Sequence, residues 1–149
     1  MRIEVAVLLV AAACGGAQHG ATKPVADCAE YVVAMRPPLA RLARAADQFG
    51  DQQLAGLEDA AAAAKQLAAK LAEEQQVLAS LDIADAKLRA AHDTLPPALS
   101  EMSAALTFLA DALLTRDETQ REPARQRLDA ANQAWGTAVT NVRAISPID

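Results

Sequence analysis

The sequence predicts an all-α protein, an up-down-up-down four-helix bundle. Ala fills 38 of the 149 positions, whereas aromatic residues make up only 3% of the chain. Strands favour β-branched and aromatic residues, so a chain dominated by Ala and Leu favours helix. Beyond Pro24, apolar residues recur at alternating steps of three and four, which is the spacing of the buried side of a helix.

Four runs with this spacing predict four helices. The apolar positions are Val25, Cys28, Val32, Met35, Leu39, Leu42, Ala46 and Phe49 in the first run; Leu57, Ala60, Ala64, Leu67, Leu71, Leu78 and Leu81 in the second; Leu88, Ala91, Leu95, Ala98, Met102, Ala105, Leu109 and Ala112 in the third; and Leu128, Ala131, Trp135, Ala138, Val142 and Ile145 in the fourth. Short connections make successive helices antiparallel, which closes such runs as a bundle.

The first two helices are bounded by residues that start or stop a helix. Pro24 can open the first, because its missing N–H would have no helical partner there. Gly50 can close it in the left-handed conformation, and Asp51 can cap the second helix. Near Ser80 the boundary is open, since nothing in the sequence forbids one long helix from Asp51 to Leu95.

The later helices carry their own starting signals. Asp82 or Asp85 can cap the third helix. Thr119 and Glu122 have the spacing of a capping box for the fourth, with Pro123 following in the first turn, where it is tolerated.

Two proline pairs interrupt the helical pattern. Pro37-Pro38 and Pro96-Pro97 fall within the first and third runs, and each pair removes two backbone donors and crowds the preceding turn. We therefore expect a kink or a short break in helices 1 and 3. Because kinks splay neighbouring helices, the space near the two pairs is a candidate ligand pocket.

The first fourteen residues have the layout of an export signal. Arg2 and Glu4 precede an unbroken apolar run from Val5 to Ala13, which ends in three small residues before Cys14. Ala11-Ala12-Ala13-Cys14 resembles the lipobox of bacterial lipoproteins, although Ala11 stands where that family usually has Leu. The resemblance implies that cleavage makes Cys14 the first residue of the mature protein and that acyl chains, such as palmitate, are attached to it.

This resemblance divides the chain into three parts: a signal peptide (1–13), a lipidated Cys14 with a flexible tether (14–23), and the bundle (24–149). It implies a lipid bilayer as partner and, because Gly15 rather than Asp follows Cys14, the outer membrane of the cell envelope as location. Alternatively, Val5 to Ala13 is a buried helix and Cys14 an ordinary thiol. Nine apolar residues are too few to span a bilayer, which takes about 20.

The chain lacks the residue patterns of common catalytic and metal sites. Its two histidines are His19, in the tether, and His92, and no His-x-x-x-His, Glu-x-x-His or Cys-x-x-Cys occurs. His92, Asp93 and Ser100 have the residue types of a catalytic triad, but neighbours on a helix point in different directions, so we interpret them as surface residues. The sequence predicts no metal, no cofactor and no catalytic residue.

Two residues on the predicted apolar faces need an interpretation. Cys28 is read as a small buried hydrophobe, with an intermolecular disulfide or a reactive thiol as the alternative. Glu74 stands where the apolar pattern of the second run lapses, which indicates a splayed bundle end, a solvated pocket or a slight error of register.

The sequence therefore favours a non-enzymatic lipoprotein of the cell envelope that acts by binding an envelope protein or a ligand. The alternative is a structural or self-associating helical rod, a homo-oligomer at the membrane surface. A nucleic-acid partner is not expected, because the net charge is −5 and no basic run is present.

Overall fold

The chain is an all-α helical bundle, as predicted. The computed structural model describes residues 24–51, 56–115 and 117–146. They form α1 (Cys28–Asp51), α2 (Leu57–Ala79), α3 (Ala86–His92), α4 (Leu95–Leu114) and α5 (Glu118–Ile145). The predicted signal peptide (1–13), Cys14 and the tether (14–23) lie outside the described residues.

Helix α4 occupies the centre of the bundle, between α2 and α5. The Ser103 hydroxyl on α4 donates to the Ala68 carbonyl on α2 at 2.8 Å, and Lys65 Nζ lies 3.0 Å from Asp111 Oδ1. Residue numbers rise along α4 as they fall along α2, so the two helices are antiparallel. Because only Thr115 to Asp117 join α4 to α5, that pair is antiparallel as well.

Helix α1 packs against α2. Among the described residues, its backbone closely approaches that of α2, while α5 stays further away. At one end of the bundle the Cys28 thiol lies 3.8 Å from the Ile145 carbonyl, so the start of α1 and the end of α5 are neighbours. The directions of the four long helices are therefore those of the predicted up-down-up-down bundle.

The apolar spacing predicts the buried positions well in the central helix. All eight predicted positions of the third run are buried, and so are those of the fourth run except Ile145, which is 36% exposed. The prediction of burial is wrong at the helix ends, where Leu57, the first residue of α2, is 41% exposed. Cys28, the first residue of α1, is exposed as well, so its interpretation as a buried hydrophobe is wrong.

Helix α1 starts one turn later than Pro24 predicts and continues past Gly50. The Asp27 carboxylate accepts the N–H of Glu30 at 2.9 Å, which caps the first turn. Pro24 precedes this cap in a non-helical segment, where Val25 forms an isolated parallel bridge with Ile83. Gly50 stays in the helix without the left-handed conformation, since the adjacent Phe49 packs against the core and holds the last turn.

Helices α2 and α3 are separate, which settles the boundary left open near Ser80. The predicted cap of α2, Asp51, is the last residue of α1, and Gly56 precedes α2 instead. Asp85 caps α3 as predicted, since its carboxylate accepts the N–H of Leu88 at 2.8 Å.

The start of α5 is capped two residues before the predicted capping box. The Asp117 carboxylate accepts both the hydroxyl and the N–H of Thr119, at 2.6 and 2.9 Å, and these hydrogen bonds lower the pKa of Asp117. Thr119 is therefore a residue of the first turn rather than the cap, and Pro123 falls in the second turn. One carboxylate that satisfies two donors outcompetes the hydroxyl of Thr119 as the cap.

The two proline pairs have different effects on the helices. Asp93 and Thr94 separate α3 from α4, and Pro96 and Pro97 lie in the first turn of α4, where their missing N–H groups have no helical partner anyway. The predicted break in the third run is thus confirmed. Helix α1, in contrast, runs through Pro37-Pro38 without interruption.

Within the described residues, the stretch Ala86–Leu114 has the length and composition of a membrane span, with a mean hydropathy of 1.2. It comprises α3 and α4, and 44% of its most apolar window is buried inside the bundle. The core helix of a helical bundle can have the same apolar composition.

We expect the substitution Leu106→Ala to lower the free energy of unfolding by about 3 kcal/mol, because it removes a fully buried side chain from the centre of α4. Urea unfolding measures this change. The matched control is Leu114→Ala at the 47% exposed end of the same helix, where the loss stays below about 0.5 kcal/mol. Equal losses in the two variants would show that α4 is not the centre of the core.

Candidate functional site

A cleft between α1 and α2, here named the α1–α2 cleft, is the candidate binding site. It consists of two adjoining hollows, the larger with a volume of about 320 Å³. The first hollow has an apolar floor with a polar rim, and the second is mainly charged. The lining residues are Arg41, Leu42, Arg44, Ala45, Gln48, Phe49, Ala63, Gln66, Leu67, Ala69, Lys70, Glu73 and Glu74.

Glu74 forms the buried acidic end of the cleft. Its carboxylate accepts two hydrogen bonds from the Arg41 guanidinium, at 2.5 Å from Nε and 2.8 Å from Nη2. The Glu74 side chain is 8% exposed and that of Arg41 is 44% exposed. The hydrogen bond to Glu74 raises the pKa of Arg41, so the guanidinium keeps its proton. The lapse in the apolar pattern of α2 thus marks a buried ion pair beside a solvated cleft. A solvated pocket was one of the three interpretations of Glu74 that the sequence left open.

The remaining charges of the cleft lie on its rim. Lys70 and Glu73 form an exposed ion pair at 2.8 Å, one turn apart on α2. Arg44, across the cleft on α1, is exposed and donates through Nε to the Ala40 carbonyl at 3.2 Å. The rim therefore offers charges of both signs to a partner, above the side chains of Phe49 and Leu67.

The α1–α2 cleft does not lie near the proline pairs, where the sequence predicted a ligand pocket. None of Pro37, Pro38, Pro96 and Pro97 lines either hollow. The second pair starts a helix instead of splaying one, and the first pair lies in an uninterrupted helix. The cleft opens further along α1, where α2 presents small residues such as Ala63 and Ala69 to it.

His92 is a buried core residue, so its interpretation as a surface residue is wrong. It is 2% exposed, while Asp93 and Ser100 are exposed as predicted. Its Nδ1 lies 2.8 Å from the hydroxyl of Tyr31, and its Nε2 lies 2.8 Å from the Leu78 carbonyl oxygen. The two rings also contact each other edge to face, with centroids 5.5 Å apart. The partner of His92, Tyr31, is not among the predicted apolar positions.

The hydrogen bonds of this trio fix its protons. A carbonyl oxygen only accepts, so Nε2 must carry a hydrogen. In a neutral imidazole Nδ1 then accepts, and the Tyr31 hydroxyl donates to it. Burial raises the pKa of Tyr31, so the hydroxyl keeps its proton for this bond. With Tyr31 fully buried, the trio is closed to substrates and holds α1, α2 and α3 together.

The other chemistry-bearing residues do not converge on one site. Within the described part of the chain, no group of three or more His, Cys, Asp or Glu side chains has an arrangement that could hold a metal ion. Cys28 is a free thiol at the opposite end of α1 from Phe49. Cys14, the predicted lipidation site, lies outside the described residues.

We expect Arg41→Met to lower the free energy of unfolding by about 2 kcal/mol, because it leaves the Glu74 carboxylate buried without its partner. The estimate is below the usual cost for a buried pair because Arg41 is half-exposed. Chemical denaturation measures the loss, and Arg41→Met combined with Glu74→Met should restore most of it.

Lys70→Met is the matched control for this substitution, since it breaks an exposed ion pair on the same cleft. Its cost should stay below about 0.5 kcal/mol. A loss in Arg41→Met no greater than that of Lys70→Met would contradict the structural role of the buried pair.

Comparison with protein-family models, with curated proteins and with solved structures finds no match to this chain. The assignment of a role to the α1–α2 cleft therefore depends on the geometry and charge of its residues.

Proposed function

We propose that the chain is a lipid-anchored lipoprotein of the bacterial cell envelope. It binds its partners at the α1–α2 cleft and has no enzymatic activity of its own. The anchor is Cys14, on the basis of the lipobox-like Ala11-Ala12-Ala13-Cys14. The observation that carries the binding role is the cleft itself, an apolar floor under a rim of both charges. Shape, apolar contact and a few placed polar groups are what a binding site requires.

The position of the cleft supports this arrangement. The tether enters the bundle at Pro24, beside the start of α1, whereas the cleft lies along α1 from Arg41 to Phe49. At 1.5 Å per residue, the cleft lies roughly 20 to 30 Å along the helix from Cys28. A protein anchored through residue 14 would thus hold the cleft away from the bilayer, where an envelope partner can reach it.

The proposed anchor is strong enough to act alone. Each buried CH₂ group of an acyl chain contributes about 0.8 kcal/mol to membrane binding, and a single chain gives only reversible attachment. Several acyl chains on one residue, as the resemblance to lipoproteins implies for Cys14, would give stable attachment at the outer membrane. No spanning helix is then needed.

A self-associating role is the second candidate, favoured by exposed apolar side chains on the outside of the bundle. Val33 on α1 is 59% exposed and Val77 on α2 is 39% exposed. Analytical ultracentrifugation of the full-length chain with Cys14→Ser separates the candidates. A mass that stays monomeric over a wide concentration range supports the binding role, and a mass that grows with concentration supports self-association.

We expect the substitution Cys14→Ser to abolish incorporation of labelled palmitate and to leave a longer, uncleaved product, because a hydroxyl does not replace the thiol in this modification. Cys28→Ser is the matched control, and it should label and fractionate like the original chain. Labelling, gel mobility and membrane fractionation measure the outcome. A Cys14→Ser product of unchanged size that stays in the envelope and takes up palmitate would overturn the proposed anchor.

A further inference from the structure

We propose that the α1–α2 cleft binds one amphipathic helix of a partner protein, whose acidic side chains lie at Arg44 and whose apolar side chains cover Phe49. This partner chemistry rests on the proposed binding role of the cleft and is independent of the lipid anchor. Three features of the cleft carry it: helical walls, a floor of small apolar residues and one cation without a carboxylate partner.

The walls of the cleft offer few main-chain hydrogen bonds to an occupant. Every lining residue belongs to α1 or α2, whose N–H and C=O groups are largely paired within their own helices. An extended peptide over the apolar floor would leave its own backbone groups unpaired, which costs free energy. A helix satisfies its main chain internally, so a helix is the form of peptide that suits this cleft.

The floor of the cleft permits the close approach of a helix. Ala45 and Ala63 line the first hollow, and small side chains let neighbouring helices come close together. Phe49, which is partly exposed, adds a large apolar surface. On α1 the lining runs from Arg41 to Phe49, roughly 12 Å at 1.5 Å per residue. Apolar side chains at positions i, i+3, i+4 and i+7 of a partner helix cover that length.

The charges of the cleft favour acidic side chains on the partner helix. The lining contains three cationic side chains and two carboxylates. Glu74 accepts two hydrogen bonds from Arg41, and Glu73 lies 2.8 Å from Lys70. Among the described residues no carboxylate pairs with Arg44, which donates only to a main-chain carbonyl of its own helix. One cation thus remains for the partner, in a chain whose own net charge is −5.

The cationic and apolar parts of the cleft follow each other along α1, which gives the partner helix a direction. Arg44 precedes Phe49 by five residues, roughly 8 Å along the helix. Arg41, which lines the same hollow as Arg44, lies one turn closer to the start of α1. The acidic end of the partner helix therefore lies towards the end of the bundle where the tether enters, and its apolar end lies away from it.

A free acyl chain suits the cleft less well than a helix. It gains free energy only where its CH₂ groups leave water, and charged and amide side chains dominate the second hollow. The cleft is also open to solvent, because Arg44, Gln48, Lys70 and Glu73 on its rim are exposed. It covers an occupant from one side, whereas small-molecule sites bury most of the surface of their ligand.

The test measures the binding of two helical peptides to the full-length chain carrying Cys14→Ser, by fluorescence anisotropy. Both peptides have Leu at positions i, i+3, i+4 and i+7 and are cross-linked into a helix; one has Glu and the other Lys at the flanking positions. The Glu peptide should bind on the order of five-fold more tightly, because it pairs with Arg44. The net charge of the chain alone would favour the Lys peptide.

Two charge reversals locate this preference. Arg44→Glu should abolish it, and if that variant does not fold, Arg44→Gln takes its place. Arg125→Glu on α5 is the matched control and should leave the preference unchanged, since Arg125 is exposed, lies outside the cleft and has no carboxylate partner among the described residues.

Sodium dodecanoate, an anionic amphiphile without a helix, is the third compound tested. Equal binding of the two peptides, or a preference that survives Arg44→Glu, would overturn the acidic helix and leave the binding role of the cleft standing. The same holds if only dodecanoate binds and Arg44→Glu weakens it. If none of the three compounds binds, both the helix and the binding role of the cleft are contradicted.

Discussion

The close packing of α4 between α2 and α5 is the constraint on which the rest of the structure depends. Ala105 and Ala110 are fully buried on α4, and small side chains let neighbouring helices approach closely. The approach is close enough for the Ser103 hydroxyl to reach a main-chain carbonyl of α2, Ala68. A core built in this way from Ala buries little apolar area per residue, so its stability comes from continuous contact along the helices.

Helix α1 packs on this core through the buried side chains of Met35, Leu39 and Leu42, and it also makes two polar contacts. Near its start, Tyr31 binds His92, and near its middle Arg41 binds Glu74. Buried polar contacts are directional, so they add to the apolar packing in fixing the position of α1. The cleft lies between the second half of α1 and α2. The same helix therefore carries both the residues of the candidate binding site and the contact of Tyr31 with His92.

The fold could be predicted from the sequence because the apolar positions of a central helix recur at steps of three and four. It could not predict the polar contacts, since Tyr31 meets His92 across 61 positions of the chain and only tertiary packing brings them together. Glu74 was visible as a lapse in the pattern, but its partner Arg41 was not. The prediction of the start of α5 was wrong for a local reason. Asp117 and Thr119 can both act as the N-cap residue, and the geometry of the folded chain makes Asp117 the acceptor.

Native-state hydrogen exchange tests most directly whether α4 is the most stable helix of the bundle and α1 a less stable one. Amides from Met102 to Leu106 should exchange only through global unfolding, with a protection equal to the full free energy of unfolding. Amides from Leu42 to Phe49 should exchange through a smaller opening that leaves α2, α4 and α5 intact. Equal protection in the two segments, or weaker protection in α4, would contradict this account.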